Sequence, residues 1–220
     1  MLKRQPGNLW LAKVLWDLGA IQFGDFTVGR TTLHSPVYVN LRLLASNPRA
    51  LQRAARVMWE EVMALRNMAR PHVHPFQRVT GIPFGGLHLA LAFSLTSKIP
   101  LVYIHPPKVQ DISEPYLEGI YERGETVLLV DDLITSGGGA IETARWLAEN
   151  AGLHVRDIVV LIDREEGGRE RLREHGYNLI SILSLETMLN YLMASDKIEE
   201  SWYRRSIEYI HRRREERTGL

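Results

Sequence analysis

Val127-Leu128-Leu129-Val130-Asp131-Asp132-Leu133-Ile134-Thr135-Ser136-Gly137-Gly138-Gly139 is the stretch on which the reading of this chain turns. Val127 to Val130 have the length and branching of a strand buried on both faces, as in a parallel sheet. From Ala140, the spacing of Ile141, Ala144, Leu147 and Ala148 is helical, which predicts a helix over 138–149. The glycine-rich loop therefore opens a helix. There the unpaired backbone N–H groups and the positive end of the helix dipole face outward, so Thr135, Ser136, Gly137, Gly138 and Gly139 can wrap a phosphate. Asp131 and Asp132 are predicted where the strand ends. Two carboxylates would repel a phosphate lying directly on them, but they suit the hydroxyls of a sugar and a Mg²⁺ ion bound through oxygen. The pattern thus favours a sugar phosphate. Neither Gly-x-x-x-x-Gly-Lys-Ser/Thr nor Gly-x-Gly-x-x-Gly occurs, so a Walker loop and a dinucleotide fingerprint are excluded.

Around this stretch the chain alternates. A helix follows Asn8, read as its cap, with Leu11, Val14, Leu15 and Leu18 on one stripe and Gly19 as its stop. A β-rich stretch and a strand at 35–41 come next. Asn47-Pro48 then caps and starts a helix to about Arg66. A loop at 70–77 precedes a strand near Val79, a helix at 86–97 and a strand at 100–104. After the strand at 127–130 and its helix come a strand at 157–162, a helix near 169–175 and a strand near 179–183. Such alternation predicts an α/β fold with a mostly parallel central sheet flanked by helices, and ligands bound beyond the carboxyl ends of its strands. The stretch from Asp196, ending Arg212-Arg213-Arg214-Glu215-Glu216-Arg217, reads as a docked helix with a solvated end rather than a nucleic-acid arm, because acids are interspersed.

Composition narrows the class. At 220 residues and 45% hydrophobic the chain suits one substantial domain. The formal net charge of +1 gives no global field pointing to nucleic acid or membrane. With no cysteine, thiol catalysis and Cys-based zinc sites are out. No stretch approaches the roughly 20 apolar residues of a membrane span, and no signal-peptide pattern occurs, so a cytoplasmic location is expected.

Two further stretches add to the site. Gly81-Ile82-Pro83-Phe84-Gly85-Gly86 leaves a strand and enters a helix, offering a second set of forward-pointing amides; Ile162-Asp163-Arg164-Glu165-Glu166-Gly167-Gly168 sets an Arg just past the next strand. That guanidinium can fork onto a carboxylate or a base carbonyl, or simply form a surface salt bridge to Glu165 or Glu166.

Together with Gly19 to Thr27 and Ser35-Pro36-Val37-Tyr38-Val39-Asn40-Leu41-Arg42, these stretches resemble the type I phosphoribosyltransferases, and among them the orotate phosphoribosyltransferase family, in order and spacing from about Leu9 to Leu189. The resemblance implies transfer of phosphoribosyl from phosphoribosyl pyrophosphate (PRPP) to orotate with Mg²⁺, in a homodimer. It implies one domain over 1–220, with a base-covering hood at 1–45, a PRPP-binding core at 46–185 and C-terminal helices at 186–220. It assigns Asp131 and Asp132 to the ribose hydroxyls and, through water, to Mg²⁺. It assigns 135–139 to the 5-phosphate, Phe84, Gly85 and Gly86 to pyrophosphate, and Arg164, Phe26, Arg30 and Tyr38 to the base. Two departures stand out: Gly29-Arg30 replaces the family's Lys context, and the mobile loop from His105 to Tyr116 offers only His105 and Lys108 as cations, beside Asp111 and Glu114. The readings left open are the orotate enzyme, a phosphoribosyltransferase for another base, and a PRPP- or nucleotide-binding regulator with weakened turnover.

Overall fold

The computed structural model describes residues 8–28, 32–105 and 116–218. At its centre four parallel strands lie in the order β3-β6-β7-β8, namely β3 (Arg78–Gly81), β6 (Thr126–Ile134), β7 (His154–Asp163) and β8 (Asn178–Ser184). The two middle strands are apolar over 127–130 and 158–162 because both faces are covered there. Leu128 and Val130 of β6 and Val159 and Leu161 of β7 enter one core; Val127 and Leu129, with Ile158 and Val160, enter the other. The first core is closed by α1 (Leu9–Asp17), α2 (Pro48–Arg66), α3 (Gly85–Ser97), α6 (Leu185–Ala194) and α7 (Glu200–Thr218). The second packs under α4 (Gly138–Trp146) and α5 (Gly168–Glu174).

Local chemistry sets several boundaries. Asn47 accepts a hydrogen bond from the Ala50 N–H (3.1 Å) with Pro48 in the first turn, so α2 starts where its cap predicts. Gly19 (φ +66°) ends α1: its N–H donates to the Trp16 carbonyl (2.9 Å), and that of Ala20 to Leu15 (2.9 Å). Asn8, by contrast, is left-handed (φ 53°) and makes no side-chain cap bond, so the expected cap is absent. The hood is a hairpin of β1 (Ile21–Val28) and β2 (Thr32–Val39), followed by a 3₁₀ turn at Leu41–Ser46.

Three expectations are corrected. The strand at 100–104 does not join the sheet: Leu101 makes an isolated bridge to Val79, and β4 (Tyr103–His105) pairs antiparallel with β5 (Tyr116–Glu118) as a separate ribbon. Pro100 has no N–H to donate, so the ladder there stays short. The helix at 138–149 is α-helical only to Trp146 and continues as a π turn, Leu147–Ala151, which buries Leu147 and Ala151 before Gly152 (φ +66°) ends it. Finally, β6 runs to Ile134, so Asp131 and Asp132 lie inside the strand rather than beyond its end; β7 extends alongside and pairs Asp131 with Val160 and Ile134 with Asp163. Among the described residues no helix is long and apolar enough to cross a membrane.

Candidate active site

β3 and β6 are parallel neighbours with Gly81 opposite Val130, so the turns that follow them open side by side. Glycine makes their contact possible. A Cβ on Gly86 would stand 2.2 Å from the Val130 carbonyl oxygen, one on Gly81 2.5 Å from the Gly86 oxygen, and one on Gly85 2.7 Å from Asp132 Oδ2. The turn at 84–86 is thereby held against the acidic pair. We expect Gly86→Ala to be among the most destabilising single changes at the site, since its neighbour is backbone; overpacking of this kind costs about 1–3 kcal/mol, read as a lower melting temperature. Gly85→Ala faces a side chain that can swing aside, and it should cost less stability while displacing Asp132.

The carboxylates are half-buried. The Asp132 N–H donates to Asp131 Oδ1 (2.9 Å), and the Leu133 N–H to Asp132 Oδ1 (2.7 Å). Burial first, and then the neighbouring Asp132 carboxylate, raise the Asp131 pKa well above the usual carboxylate range. Burial also raises Asp132, against the Leu133 N–H bond and the positive charges of His88 and Arg42. His88, on α3, is itself held below the usual imidazole value by burial, and its Nε2 is buried with no hydrogen-bond partner.

Beyond β6, Gly137 (φ +75°) caps α4 in a left-handed conformation, and the loop lines a cleft of about 360 Å³ with Asp131, Thr135, Ser136, Gly137, Gly138 and Gly139 on its wall. Arg171 of α5 is the cation on that wall, and its Nη1 reaches 3.5 Å from the Ser136 carbonyl. Gly168 seats the β7–α5 turn against the loop, because a Cβ there would meet the Thr135 oxygen at 2.4 Å.

In the hairpin, the rings of Phe26 and Tyr38 lie 5.5 Å apart. The Tyr38 hydroxyl accepts from Arg42 Nη2 (3.1 Å), and Arg42 Nε donates to Asn40 Oδ1 (3.2 Å), which links the hood to the acidic pair through Arg42. Arg164 is only 3% exposed. Its Nε donates to Glu166 Oε1 (2.8 Å) and its Nη2 to Ser35 Oγ (3.0 Å), with the Val37 carbonyl at 3.4 Å. The partner is Glu166, but the pair is buried rather than a surface salt bridge, because the bond to Ser35 makes this Arg fasten β2 to the core. His105 stacks on Tyr116 with ring centroids 4.8 Å apart. Lys108 and Arg30 lie outside the described residues.

The structure thus gathers Asp131, Asp132, 84–86 and 135–139 at one end of the sheet, with Phe26, Tyr38 and Arg164 at its hood side. Arg42, His88 and Arg171 escaped the sequence reading. Arg42 closed a quoted segment, and His88 lies three residues into the helix after the glycine turn; neither carried a motif of its own. Arg171 had no local signal at all, since its position depends on how α5 packs.

Two amide-rich turns flanking a carboxylate pair at the carboxyl end of a parallel sheet, under a hairpin hood, define the type I phosphoribosyltransferase class. No family model matches the chain. It is 34% identical to the orotate phosphoribosyltransferase of Chlamydia caviae over 194 residues, covering 85% of this chain and 86% of the relative. It is also 34% identical to the uridine 5'-monophosphate synthase of Bos taurus over 196 residues, which is 89% of this chain but 39% of that protein. The crystal structure of orotate phosphoribosyltransferase from Aeropyrum pernix superposes with a TM-score of 0.69 at 32% identity, covering 83% of this chain and 99% of that one. The chain belongs to the orotate phosphoribosyltransferase family.

Proposed function

We propose that this protein transfers phosphoribosyl from PRPP to N1 of orotate, giving orotidine 5'-monophosphate and pyrophosphate. The observation that carries this reading is the set of glycine-only contacts holding the 84–86 turn against Asp132 beside the 135–139 loop, which supplies separate anion seats on either side of a diol-binding carboxylate pair. In this reading the amides and hydroxyls of 135–139, with Arg171, hold the 5-phosphate. Asp131 and Asp132 accept hydrogen bonds from the ribose hydroxyls, and the amides of Phe84 and Gly85 face the pyrophosphate, the Gly86 N–H being taken by the Ile82 carbonyl (2.9 Å). Among the described residues no group of three or more His, Asp or Glu side chains is arranged to hold a metal by itself. The carboxylate pair fits Mg²⁺ that arrives on PRPP, since this ion is commonly held by one or two carboxylates and substrate phosphates. Once bound it would offset the charge of the leaving pyrophosphate. Orotate as its dianion needs no strong base, so the protein's part is to fix the two reactants and exclude water.

The test is a steady-state assay with PRPP, Mg²⁺ and a panel of bases: turnover with orotate above uracil, adenine and hypoxanthine is the expected result. A better acceptor among the other bases makes this a phosphoribosyltransferase for that base. Tight PRPP binding without turnover would favour the second reading, a regulator with weakened catalysis, which the composition of 106–115 motivates. Each leaving-group contact missing from such a loop removes roughly 2.7–4 kcal/mol of transition-state stabilisation, by analogy with a deleted oxyanion donor.

We read residues 1–220 as one such domain acting in the cytoplasm on small-molecule substrates, and as a homodimer. α3 is apolar on its outer side as well as its inner one, with Leu91 and Leu95 51% and 64% exposed and Phe84 and Tyr103 near them in sequence also exposed. Sedimentation at micromolar concentration should give twice the 25.2 kDa chain mass, and Leu91→Asp with Leu95→Asp should give the monomer. A wild-type chain that sediments only as a monomer contradicts the dimer.

A further inference from the structure

The inner face of α7 packs into the molecule and brings one of its terminal arginines to the β7–α5 turn. Ser206, Tyr209 and Ile210 are buried on its inner face. One turn further on, Arg214 Nη2 donates to the Glu165 carboxylate and to Glu186 Oε2 (3.0 Å). The remaining oxygen of Glu165 accepts the Glu186 N–H (2.9 Å) at the first turn of α6. One carboxylate therefore joins the β7–α5 turn to both C-terminal helices.

Glu165 is also left-handed (φ 62°), a backbone state that costs a residue with a side chain free energy and persists where its surroundings hold it. Its own N–H donates to Asp163 Oδ1 (2.9 Å). Glu165 separates the two residues that engage the hood: Arg164, bonded to Ser35 and Val37, and Glu166, bonded to Arg164. The reversal at Glu165 is what lets Arg164 and Glu166 meet side by side beneath β2. The strand that Arg164 holds, β2, is therefore tied to the turn that Glu165 makes.

We propose that Arg214 is a positioning residue for the base side of the site: from the C-terminal helix it clamps Glu165 to Glu186 and so sets where Arg164 and the hairpin of β1 and β2 stand. This rests on the reading that the hood and Arg164 serve the acceptor base. The acidic pair lies on another strand, and the 135–139 loop rests on the far end of the turn, at Gly168 rather than at Glu165, so the clamp should move base affinity far more than PRPP affinity.

The experiment compares wild type, Arg214→Ala, Arg214→Lys and Glu186→Gln in the full chain. Arg214→Ala should raise the orotate KM about tenfold with the PRPP KM within twofold; Arg214→Lys should recover part of the loss, since an ammonium keeps the charge and the donors that Nη2 turns on both carboxylates but ends one bond short of its position. Glu186→Gln, which keeps the helix and removes one arm of the clamp, should fall between. Amide hydrogen exchange in the ligand-free protein should quicken at 164–167 in Arg214→Ala and stay unchanged at 135–139. Orotate and PRPP KM values rising together, or an orotate KM unmoved while exchange quickens, overturns the positioning role and leaves a purely structural contact. Exchange at 164–167 unmoved overturns the clamp itself. A wild-type protein that does not turn over orotate refutes the proposed reaction instead, and the exchange arm still decides the clamp.

Discussion

Asp131→Asn combined with Asp132→Asn should weaken PRPP binding at least about a hundredfold and, in the ligand-free protein at pH 8, raise the melting temperature. Two charge-assisted hydrogen bonds to the ribose hydroxyls, each worth about 1.5–3 kcal/mol, lie behind the first effect. The second follows from the direction of the shifts. Both carboxyls titrate above their ordinary range in the folded protein, through burial and, for Asp131, through its neighbour's charge. A carboxyl raised in this way contributes stability that is fully present below the unfolded-state pKa and is lost as pH rises through the folded-state value. At pH 8 folding the pair therefore costs either the buried charge or the uptake of a proton, and neutral amides of the same shape relieve that cost by ~2–4 °C for each kcal/mol. Near pH 3 the gain should vanish. Calorimetry reads both quantities. Wild-type PRPP affinity in the double variant contradicts the site assignment, and a lower melting temperature at pH 8 contradicts the repulsion.

Arg164→Ala should cost both stability and base affinity. The guanidinium and Glu166 are 3% and 1% exposed, and removing one member of so buried a pair typically costs about 3–5 kcal/mol. The Ser35 hydroxyl and Val37 carbonyl also lose their donor, so the hood loosens. The orotate KM should rise with PRPP affinity held within a few-fold. Arg164→Met with Glu166→Gln separates the two effects: removing both charges should recover much of the melting temperature and none of the orotate affinity. Recovery of both would make Arg164 a structural latch with no part in base binding, and a single variant as stable as wild type would contradict the buried pair.

The fold and the elements that carry the 135–139 loop were legible for a common reason: their determinants are local. Val127 to Val130 announced a strand buried on both faces, Thr135 to Gly139 a helix start fitted to an anion, Asn47-Pro48 a cap, and Gly19 a helix stop, each within a few residues. The glycines at 81, 85 and 86 also marked a turn where backbone comes close to something. Only the structure shows that the something is Val130 and Asp132.

What the sequence determined by itself was thus the class of sheet, the order of its strands and helices, and the identity of the acidic pair and both amide-rich turns. Tertiary structure decided the rest. It carried β6 on past Asp131 and Asp132 because β7 continues beside it, and it kept residues 100–104 out of the sheet. It spent the Arg164 guanidinium on Glu166 and on a hood strand 129 residues earlier in the chain, brought Arg171 to the wall of the cleft and Arg42 and His88 within electrostatic reach of Asp132, and turned Arg214 onto Glu165, 49 residues back. Helical and strand periodicities report which residues face inward along one element. They carry no information about which distant element a charged side chain will meet, because that partner is fixed only when the layers pack and each buried charge must find a counter-charge or a hydrogen bond.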